Sequence, residues 1–205
     1  MVDVLVCGVG GQGVLLLAEI LGTAALKSGL DARVSEIHGM AQRGGSVICH
    51  VRVGPRPVHA PTIMDGSADT LLALEPAEAL RALRFLGRET WALVSTRTIR
   101  PTLVSLGMAS YPGLKEVEKA LREACARVIF IDALRLAEEA GSPLAQNIVM
   151  AGVLHATGRF PADRGAMLEA IKELVPKRYV AINLKAFELG EREIKEVLEK
   201  GESSG

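Results

Sequence analysis

A glycine-rich turn between a strand and a helix constrains this sequence more than any other feature. Residues 8–13 are Gly-Val-Gly-Gly-Gln-Gly, directly after the apolar run Val2–Cys7 and directly before Val14–Lys27, where apolar residues recur at helical spacing. This is the G-x-G-x-x-G fingerprint in the strand–turn–helix context that the motif requires. Glycines at these positions permit a tight turn with positive φ, and they let the backbone approach another group closely.

Three interpretations of the turn fit the sequence. The unpaired N–H groups and the positive dipole end of a helix N-terminus favour a bound phosphate or carboxylate. Glu36 lies at roughly the distance expected of the ribose-binding acid in a dinucleotide-binding protein, but the chain has no clear second half with a catalytic His or Tyr. The turn could instead only pack closely, or contact a partner chain. The candidate contact residues here are Gly8, Gly10, Gly11, Gln12 and Gly13.

Predicted strands and helices alternate along much of the chain. The predicted strands are Val2–Cys7, Asp31–Ile37, Ser46–Val53, Thr70–Leu74, Trp91–Ser95 and Arg127–Asp132. The predicted helices are Val14–Lys27, Pro76–Phe85, Leu114–Ala124, Ala133–Ala140, Asn147–Thr157, Asp163–Leu174 and Tyr179–Lys200. This order predicts an α/β fold: a Rossmann-like three-layer sandwich with a mostly parallel sheet, helices on both faces and a helical C-terminal region. We expect one domain over residues 1–200 and a frayed tail over residues 201–205.

Composition excludes some classes of function. Lysine and arginine total 24, as do aspartate and glutamate, so the formal net charge is zero. This balance is unlike the basic excess of nucleic-acid-binding proteins, and it permits association, including a homodimer. No uninterrupted apolar stretch reaches membrane-spanning length, and no secretory signal precedes the first strand. We therefore expect a cytoplasmic protein that binds neither nucleic acid nor membrane.

The cysteines and histidines do not indicate a metal centre. Cys7, Cys49 and Cys125 are far apart in the sequence, and each lies beside apolar residues. We expect buried thiols, because a disulfide framework or an iron–sulfur cluster would need more cysteines at closer spacing. The histidines likewise lack metal-ligand spacing.

A second motif follows the second predicted strand. Residues 35–46 are Ser-Glu-Ile-His-Gly-Met-Ala-Gln-Arg-Gly-Gly-Ser. His38 could act in catalysis or only form hydrogen bonds within the loop. Arg43 could clamp a phosphate or carboxylate with two parallel hydrogen bonds, or form a salt bridge at a subunit interface. Gly44-Gly45 would let a partner backbone or a cofactor come close, and Ser46 could donate a hydrogen bond or simply begin the strand.

Together, the two motifs resemble the gamma-type domain of the 2-oxoacid:ferredoxin oxidoreductases. The string from His38 to Ser46 is most similar to the beta subunit of the indolepyruvate branch of this family, whereas the pyruvate and 2-oxoglutarate branches usually keep a shorter Arg-Gly-Gly core. Length and element order agree over nearly the whole chain. The segments Asn147–Gly152 and Asn183–Phe187 also fit, more loosely.

The resemblance implies a function that belongs to an assembled enzyme. Such an enzyme oxidatively decarboxylates a 2-oxoacid, here indolepyruvate or another aryl pyruvate, to an acyl-coenzyme A and passes the electrons to ferredoxin. Thiamine diphosphate and iron–sulfur clusters are expected in a large partner subunit, with coenzyme A as co-substrate. We expect this chain alone to hold no cofactor, to contain no catalytic residue and to be inactive. A stand-alone NAD(P)- or nucleotide-binding protein is the alternative, and a purely structural interaction protein is a third.

Overall fold

The computed structural model describes residues 1–39, 44–101, 104 and 106–202. The strands are β1 (Val2–Val9), β2 (Asp31–His38), β3 (Ser46–Gly54), β4 (Ala68–Ala73), β5 (Leu86–Ser95) and β6 (Arg127–Ile131). The helices are α1 (Val14–Lys27), α2 (Pro76–Arg81), α3 (Leu114–Ala124), α4 (Ala133–Ala140), α5 (Gln146–Ala156), α6 (Arg164–Leu174) and α7 (Val180–Glu202). Short 3₁₀ turns lie at Leu83–Phe85, Pro143–Ala145 and Lys177–Tyr179. The predicted α/β class is confirmed.

The sheet is mostly parallel, with one strand reversed. Its strand order is β2-β3-β1-β4-β5-β6. β1, β4, β5 and β6 pair in parallel, whereas β3 lies antiparallel between β1 and β2. Antiparallel neighbours need no helical crossover, in agreement with the lack of a predicted helix between β2 and β3. As a result, β2 forms an edge of the sheet two strand spacings from β1.

Helices cover both faces of the sheet, as predicted. α1, α4, α5, α6 and α7 bury apolar residues on one face, and α2 and α3 cover the other. β1 leads into α1 on the first face, and its neighbour β4 leads into α2 on the second. Such a reversal between adjacent parallel strands opens a crevice at their carboxyl ends, the usual ligand position in open α/β sheets.

Two element boundaries differ from the sequence prediction by more than two residues. The helix predicted over Pro76–Phe85 ends at Arg81 and is followed by a separate 3₁₀ turn. β5 begins at Leu86, five residues before the predicted start at Trp91, because the polar run Gly87–Thr90 masks the strand pattern. Residues 203–205 lie outside the described residues, so the frayed tail stays a prediction. Among the described helices, none combines the length and apolar character needed to span a bilayer.

The crossing of α5 and α7 depends on two glycines. A Cβ atom added to Gly152 would lie 2.1 Å from the carbonyl oxygen of Phe187. One added to Gly190 would lie 2.1 Å from the carbonyl oxygen of Val149. Both obstacles are backbone atoms, so a change of side-chain rotamer cannot relieve them. The two helices are therefore in direct backbone contact, which sets how α7 lies against the core.

Replacing Gly152 by Ala should lower the free energy of unfolding by about 1–3 kcal/mol, because the added methyl group must push the two backbones apart. Urea unfolding measures this change. Gly113→Ala is the matched control, since a Cβ there meets only Glu116 Oε2 at 3.6 Å. Equal unfolding midpoints for the two variants would contradict a tight crossing.

His50 fastens the connection between β3 and β4 to the sheet. Its side chain is fully buried, and Nδ1 accepts a hydrogen bond from the Ile63 backbone N–H at 3.1 Å. The ring lies edge-on to Phe85, with centroids 5.0 Å apart. Burial lowers the pKa of His50, and the positive charges of Arg52 and Arg84 lower it further. Protonation would remove the lone pair that accepts from Ile63, so the folded state favours the neutral ring.

This lowered pKa predicts a loss of stability in acid. A group with a depressed pKa contributes stability that is present above its ordinary pKa of 6.5 and is lost as the pH falls through the folded-state value. The variant His50→Asn keeps an acceptor oxygen without titrating, so its free energy of unfolding should fall less between about pH 7 and about pH 5. Urea unfolding at both pH values checks this. The control is His59→Asn at an exposed position, which should lose as much stability between the two pH values as the wild type. An equal loss in His50→Asn would contradict the role assigned to His50.

Candidate functional site

The glycine turn lies at the carboxyl end of β1, beside the crevice between β1 and β4. α1 begins at Val14, and its N-cap residue Gly13 has a φ of 78°. Gly11 has a φ of 103°. Both angles lie in the left-handed region that favours glycine. A Cβ on Gly13 would also lie 2.5 Å from Nδ2 of Asn147, an amide that donates to the Gly13 carbonyl at 3.2 Å. The backbone path therefore requires glycine at both positions.

The side chain of Gln12 closes the turn from the inside. Its Oε1 accepts from the Val9 backbone N–H at 2.7 Å, and its Nε2 donates to the Leu74 carbonyl at 2.8 Å. One amide thus joins the end of β1 to the residue that follows β4. A Cβ on Gly8 would lie 2.9 Å from Gln12 Oε1, so Gly8 provides the space for this side chain. The predicted contact residue Gln12 directs its amide into the protein.

The second motif pairs with the turn through backbone hydrogen bonds. The Gly10 N–H donates to the Gly45 carbonyl at 2.8 Å, and the Gly44 N–H donates to the Gly10 carbonyl at 3.3 Å. These bonds continue the antiparallel pairing of β1 and β3, and they bring together two motifs that are distant in the sequence. The Gly10 N–H is therefore occupied. Within the described residues, the Gly11 N–H donates to no backbone carbonyl.

Ser46 and Arg43 complete the set of predicted contact residues. The Ser46 hydroxyl donates a hydrogen bond to Oε2 of Glu78. Burial raises the pKa of the Glu78 carboxyl, and the bond from Ser46 opposes that shift. The Ser46 hydroxyl is thus engaged within the protein. Arg43 lies outside the described residues.

Glu36 does not occupy the position of a ribose-binding acid. In dinucleotide-binding sheets, that acid ends the strand next to the first strand. Here β3 lies between β1 and β2, so Glu36 is two strand spacings, roughly 10 Å, from β1. Its carboxylate lies 3.6 Å from Nε2 of His38 at the exposed edge of the sheet. This geometry does not favour the dinucleotide-binding alternative.

A buried carboxylate that the sequence analysis missed holds the other side of the crevice. Glu75 is 1% exposed and lies two residues after the end of β4. Its Oε1 accepts from the Ile99 N–H at 3.1 Å and from the Tyr111 hydroxyl, and its Oε2 accepts from the Glu78 N–H at 3.0 Å. Burial and the bond to Glu75 raise the pKa of Tyr111 well above its usual range. The sequence feature that could have indicated Glu75 is Pro76, because a proline at the first helical position marks the preceding residue as the N-cap.

Three cavities surround the turn in the described part of the chain. The first, of about 510 Å³, is lined by the turn, the first residues of α1, His38 and Val47. The second, of about 310 Å³, lies between the turn and residues that include Asn147 and Tyr179. The third, of about 330 Å³, has Arg97 on its wall. Gly11 lines all three, so the three cavities meet at this residue.

The cysteines do not suit a metal or cluster site. All three are buried free thiols, as predicted. Burial raises the pKa of Cys49 to about 12 and that of Cys125 to about 11, and it raises the pKa of Cys7 well above the ordinary value. These thiols are protonated near neutral pH, whereas cluster ligands are thiolates. Among the described residues, no group of three or more His, Cys, Asp or Glu is placed to hold a metal ion.

The fold and site define a class: an α/β protein with a glycine turn at its switch point and no metal-binding group among the described residues. The family described as pyruvate ferredoxin/flavodoxin oxidoreductase matches residues 3–193. The chain therefore belongs to this family, and the resemblance inferred from the two motifs is confirmed.

Two named relatives are similar to this chain over most of its length. Over 188 residues the chain is 46% identical to indolepyruvate oxidoreductase subunit IorB of Archaeoglobus fulgidus, covering 92% of each chain. It is 42% identical over 197 residues to the protein of the same name from Pyrococcus horikoshii, covering 96% of this chain and 97% of the relative.

Solved structures support the fold. The gamma subunit of a keto/oxoacid ferredoxin oxidoreductase from Geobacter sulfurreducens matches with a TM-score of 0.69 at 24% identity, covering 95% of this chain and 98% of its own. The 2-oxoglutarate:ferredoxin oxidoreductase of Magnetococcus marinus matches with a TM-score of 0.74 at 19% identity, covering 95% of this chain and 31% of its own. At these identities the likeness shows the architecture alone.

Gln12→Leu should lower the free energy of unfolding by about 2–4 kcal/mol, because the Val9 N–H and the Leu74 carbonyl would both lose their partner in a buried place. Urea unfolding measures the change. The control is Leu15→Ala at the second residue of α1, where the side chain is 43% exposed and the cost should be smaller. Wild-type stability in Gln12→Leu would show that the amide bridge is dispensable.

Proposed function

We propose that this chain is the small subunit of an indolepyruvate:ferredoxin oxidoreductase and works with a larger subunit. The assembled enzyme would decarboxylate indolepyruvate, transfer the acyl group to coenzyme A and pass two electrons to ferredoxin. The observation that carries this proposal is identity of 46% and 42%, over more than nine-tenths of the chain, to relatives named as indolepyruvate oxidoreductase subunits.

The chemistry of this chain's residues supports a division of labour between subunits. The three thiols are buried, protonated and unsuited to cluster ligation. We therefore assign the iron–sulfur clusters, and with them thiamine diphosphate, to the larger subunit. Thiamine diphosphate would supply the carbanion-stabilising chemistry when bound there.

The contribution of this chain is then one wall of a composite site. The turn and the loop meet through Gly10 and Gly45, and a Cβ at Gly11 would meet nothing within 4 Å. Close backbone approach by coenzyme A or by the larger subunit is therefore easiest at Gly11. Of the predicted contact residues, we assign contacts with coenzyme A or the partner's cofactor to Gly10, Gly11, Arg43, Gly44 and Gly45, because Gln12 and Ser46 direct their polar groups into the protein and Gly8 and Gly13 make room for neighbouring side chains.

Reconstitution tests the proposal. The purified chain should catalyse no coenzyme A-dependent oxidation of indolepyruvate, measured as reduction of methyl viologen. Mixing it with the large subunit from the same organism should produce that activity, because each chain holds only part of the site. The large subunit alone is the control, and phenylpyruvate, pyruvate and 2-oxoglutarate in place of indolepyruvate test the substrate class.

Two results would contradict the proposal. One is oxidation by this chain alone, and the other is an inactive mixture in which gel filtration shows that the two chains have assembled. Calorimetric titration of the isolated chain with NAD(H) tests the alternative of a stand-alone nucleotide-binding protein. Saturable binding of NAD(H) would favour that alternative, which the family membership and the position of Glu36 do not support.

A further inference from the structure

We propose that β2 (Asp31–His38), the strand at one edge of the sheet, is the surface through which two copies of this chain associate. The two copies of β2 pair antiparallel about a two-fold axis that passes through Ser35, so the two six-stranded sheets become continuous. This inference goes beyond the proposed function and does not depend on it, because it concerns the isolated chain.

The hydrogen bonds inside the sheet decide which residues of β3 bond to β2. Along a strand, the backbone groups of alternate residues point to opposite sides. The Cys7 carbonyl accepts from the Leu74 N–H at 2.8 Å, toward β4, so the neighbouring residue Val6 bonds toward β3. Val6 is paired with Cys49. Cys49 therefore bonds back to β1, and the residue after it, His50, bonds toward β2.

The open edge of β2 carries unpaired backbone groups. His50 is paired with Ser35, so the backbone of Ser35 faces β3. The adjacent residues Val34 and Glu36 therefore direct their N–H and C=O groups away from the sheet. No backbone group of the described residues outside the sheet bonds to them. These groups are free to pair with another strand.

The sequence of β2 lacks the features that usually protect an edge strand from pairing. All eight residues of β2 are paired in an unbroken register with β3, whereas an average strand has about five or six residues. The strand contains no proline and no lysine, two residues that commonly block such edges. Ile37 is 53% exposed and Val34 is 40% exposed. A long edge with exposed apolar side chains is a template for a further strand.

Two-fold symmetry restricts how two copies of β2 can pair. An axis perpendicular to the sheet keeps each face of the sheet on its own side, so the axis must pass through a residue. With the axis at Ser35, every outward-facing residue of the range Ala32–His38 meets an outward-facing residue of the second copy. An axis at Glu36 would place two carboxylates directly opposite each other, which is destabilising. An axis at Val34 would leave the backbone groups of His38 without a strand residue to pair with.

The side chains of β2 are complementary in this register. Ile37 lies opposite Arg33 of the second copy, whose aliphatic stem can cover the exposed apolar side chain. In the single chain, Nη1 of Arg33 donates to the outward Ala32 carbonyl at 3.0 Å. The N–H of His38 from the second copy would replace that donor and release the guanidinium. The register places no like charges directly opposite each other, and the formal net charge of zero adds no overall repulsion between copies.

Helix α1 extends the contact on one face of the sheet. It lies directly over β2, since a Cβ on Gly22 would lie 2.8 Å from Cγ2 of Val34. A cavity of about 350 Å³ at this place is lined by residues that include Thr23, Leu26 and Val34, and Leu26 is 57% exposed. The two-fold axis puts the same cavity of the second copy on the same face of the sheet. Burial of Leu26 and Val34 with their copies would add hydrophobic stabilisation to the backbone pairing.

Sedimentation equilibrium of the full-length chain tests the association. The wild type should form a dimer. Glu36→Pro removes an outward N–H and leaves the bonds to β3 in place, so the dissociation constant of the dimer should rise at least about tenfold, the loss expected from one hydrogen bond on each copy. Glu36→Ala is the matched control, because it removes the same side chain and keeps the N–H, and its dissociation constant should stay within about threefold of the wild type. Urea unfolding of each variant shows whether it is folded.

Disulfide cross-linking tests the register. In Ser35→Cys, the two new thiols lie opposite each other in a pair without mutual backbone hydrogen bonds, with Cα atoms about 4.5 Å apart, which is within the range of a disulfide. Mild oxidation should therefore link the two copies. Arg33→Cys is the control, because the two copies of this position are offset by roughly 13 Å along the strands, and it should stay unlinked. The three native cysteines are buried, so the wild type should not cross-link.

Three results would overturn the proposal: a monomeric wild type, equal dissociation constants for Glu36→Pro and Glu36→Ala, or cross-linking of Arg33→Cys as readily as Ser35→Cys. A monomeric wild type whose β2 amides become protected from hydrogen exchange only when the large subunit is added would assign this edge to that subunit instead. None of these measurements uses the activity of the reconstituted complex, so they are separate from the test of the proposed function.

Discussion

The amide of Gln12 joins the ends of β1 and β4, and the geometry of the functional edge depends on its two hydrogen bonds. In open α/β sheets this crevice usually receives a ligand, but here a side chain of the protein occupies its floor. Gly8 lacks a side chain because Gln12 needs the space, and Gly13 lacks one because Asn147 packs against it. Two of the four turn glycines thus serve internal packing. The part of the turn open to a ligand is therefore the rim of the crevice, where no protein atom lies within 4 Å of a Cβ placed on Gly11.

The elements were largely predictable from the sequence, but their arrangement in the sheet was not. Strands and helices follow from local apolar periodicity, and the glycine motif marks the first turn without reference to the rest of the chain. The order of the strands depends on pairing between distant segments. The apolar pattern of β3 (Ser46–Gly54) is the same whichever way it runs, so nothing local indicates that it lies antiparallel between β1 and β2. That insertion is what removes Glu36 from the turn.

The candidate site was predictable in its motifs and unpredictable in its side-chain directions. The resemblance identified the turn and the Gly44-Gly45 segment as motifs of one family, and the structure joins them by backbone hydrogen bonds. The inward direction of Gln12 and the bond from Ser46 to Glu78 depend on packing that no motif encodes. Glu75 follows β4 and Ile99 follows β5, and neither belongs to a periodic pattern. Their hydrogen bond forms because parallel β4 and β5 end at the same edge of the sheet.

Gly11 lines all three cavities around the turn, and this has a thermodynamic consequence. Groups bound in any two of these cavities would share one peptide unit, so the position that one occupant imposes on Gly11 changes the free energy of binding for the other. Linkage requires the effect to be reciprocal. Any coupling between two occupants would therefore pass through the Gly11 peptide unit and would need no larger movement of the fold.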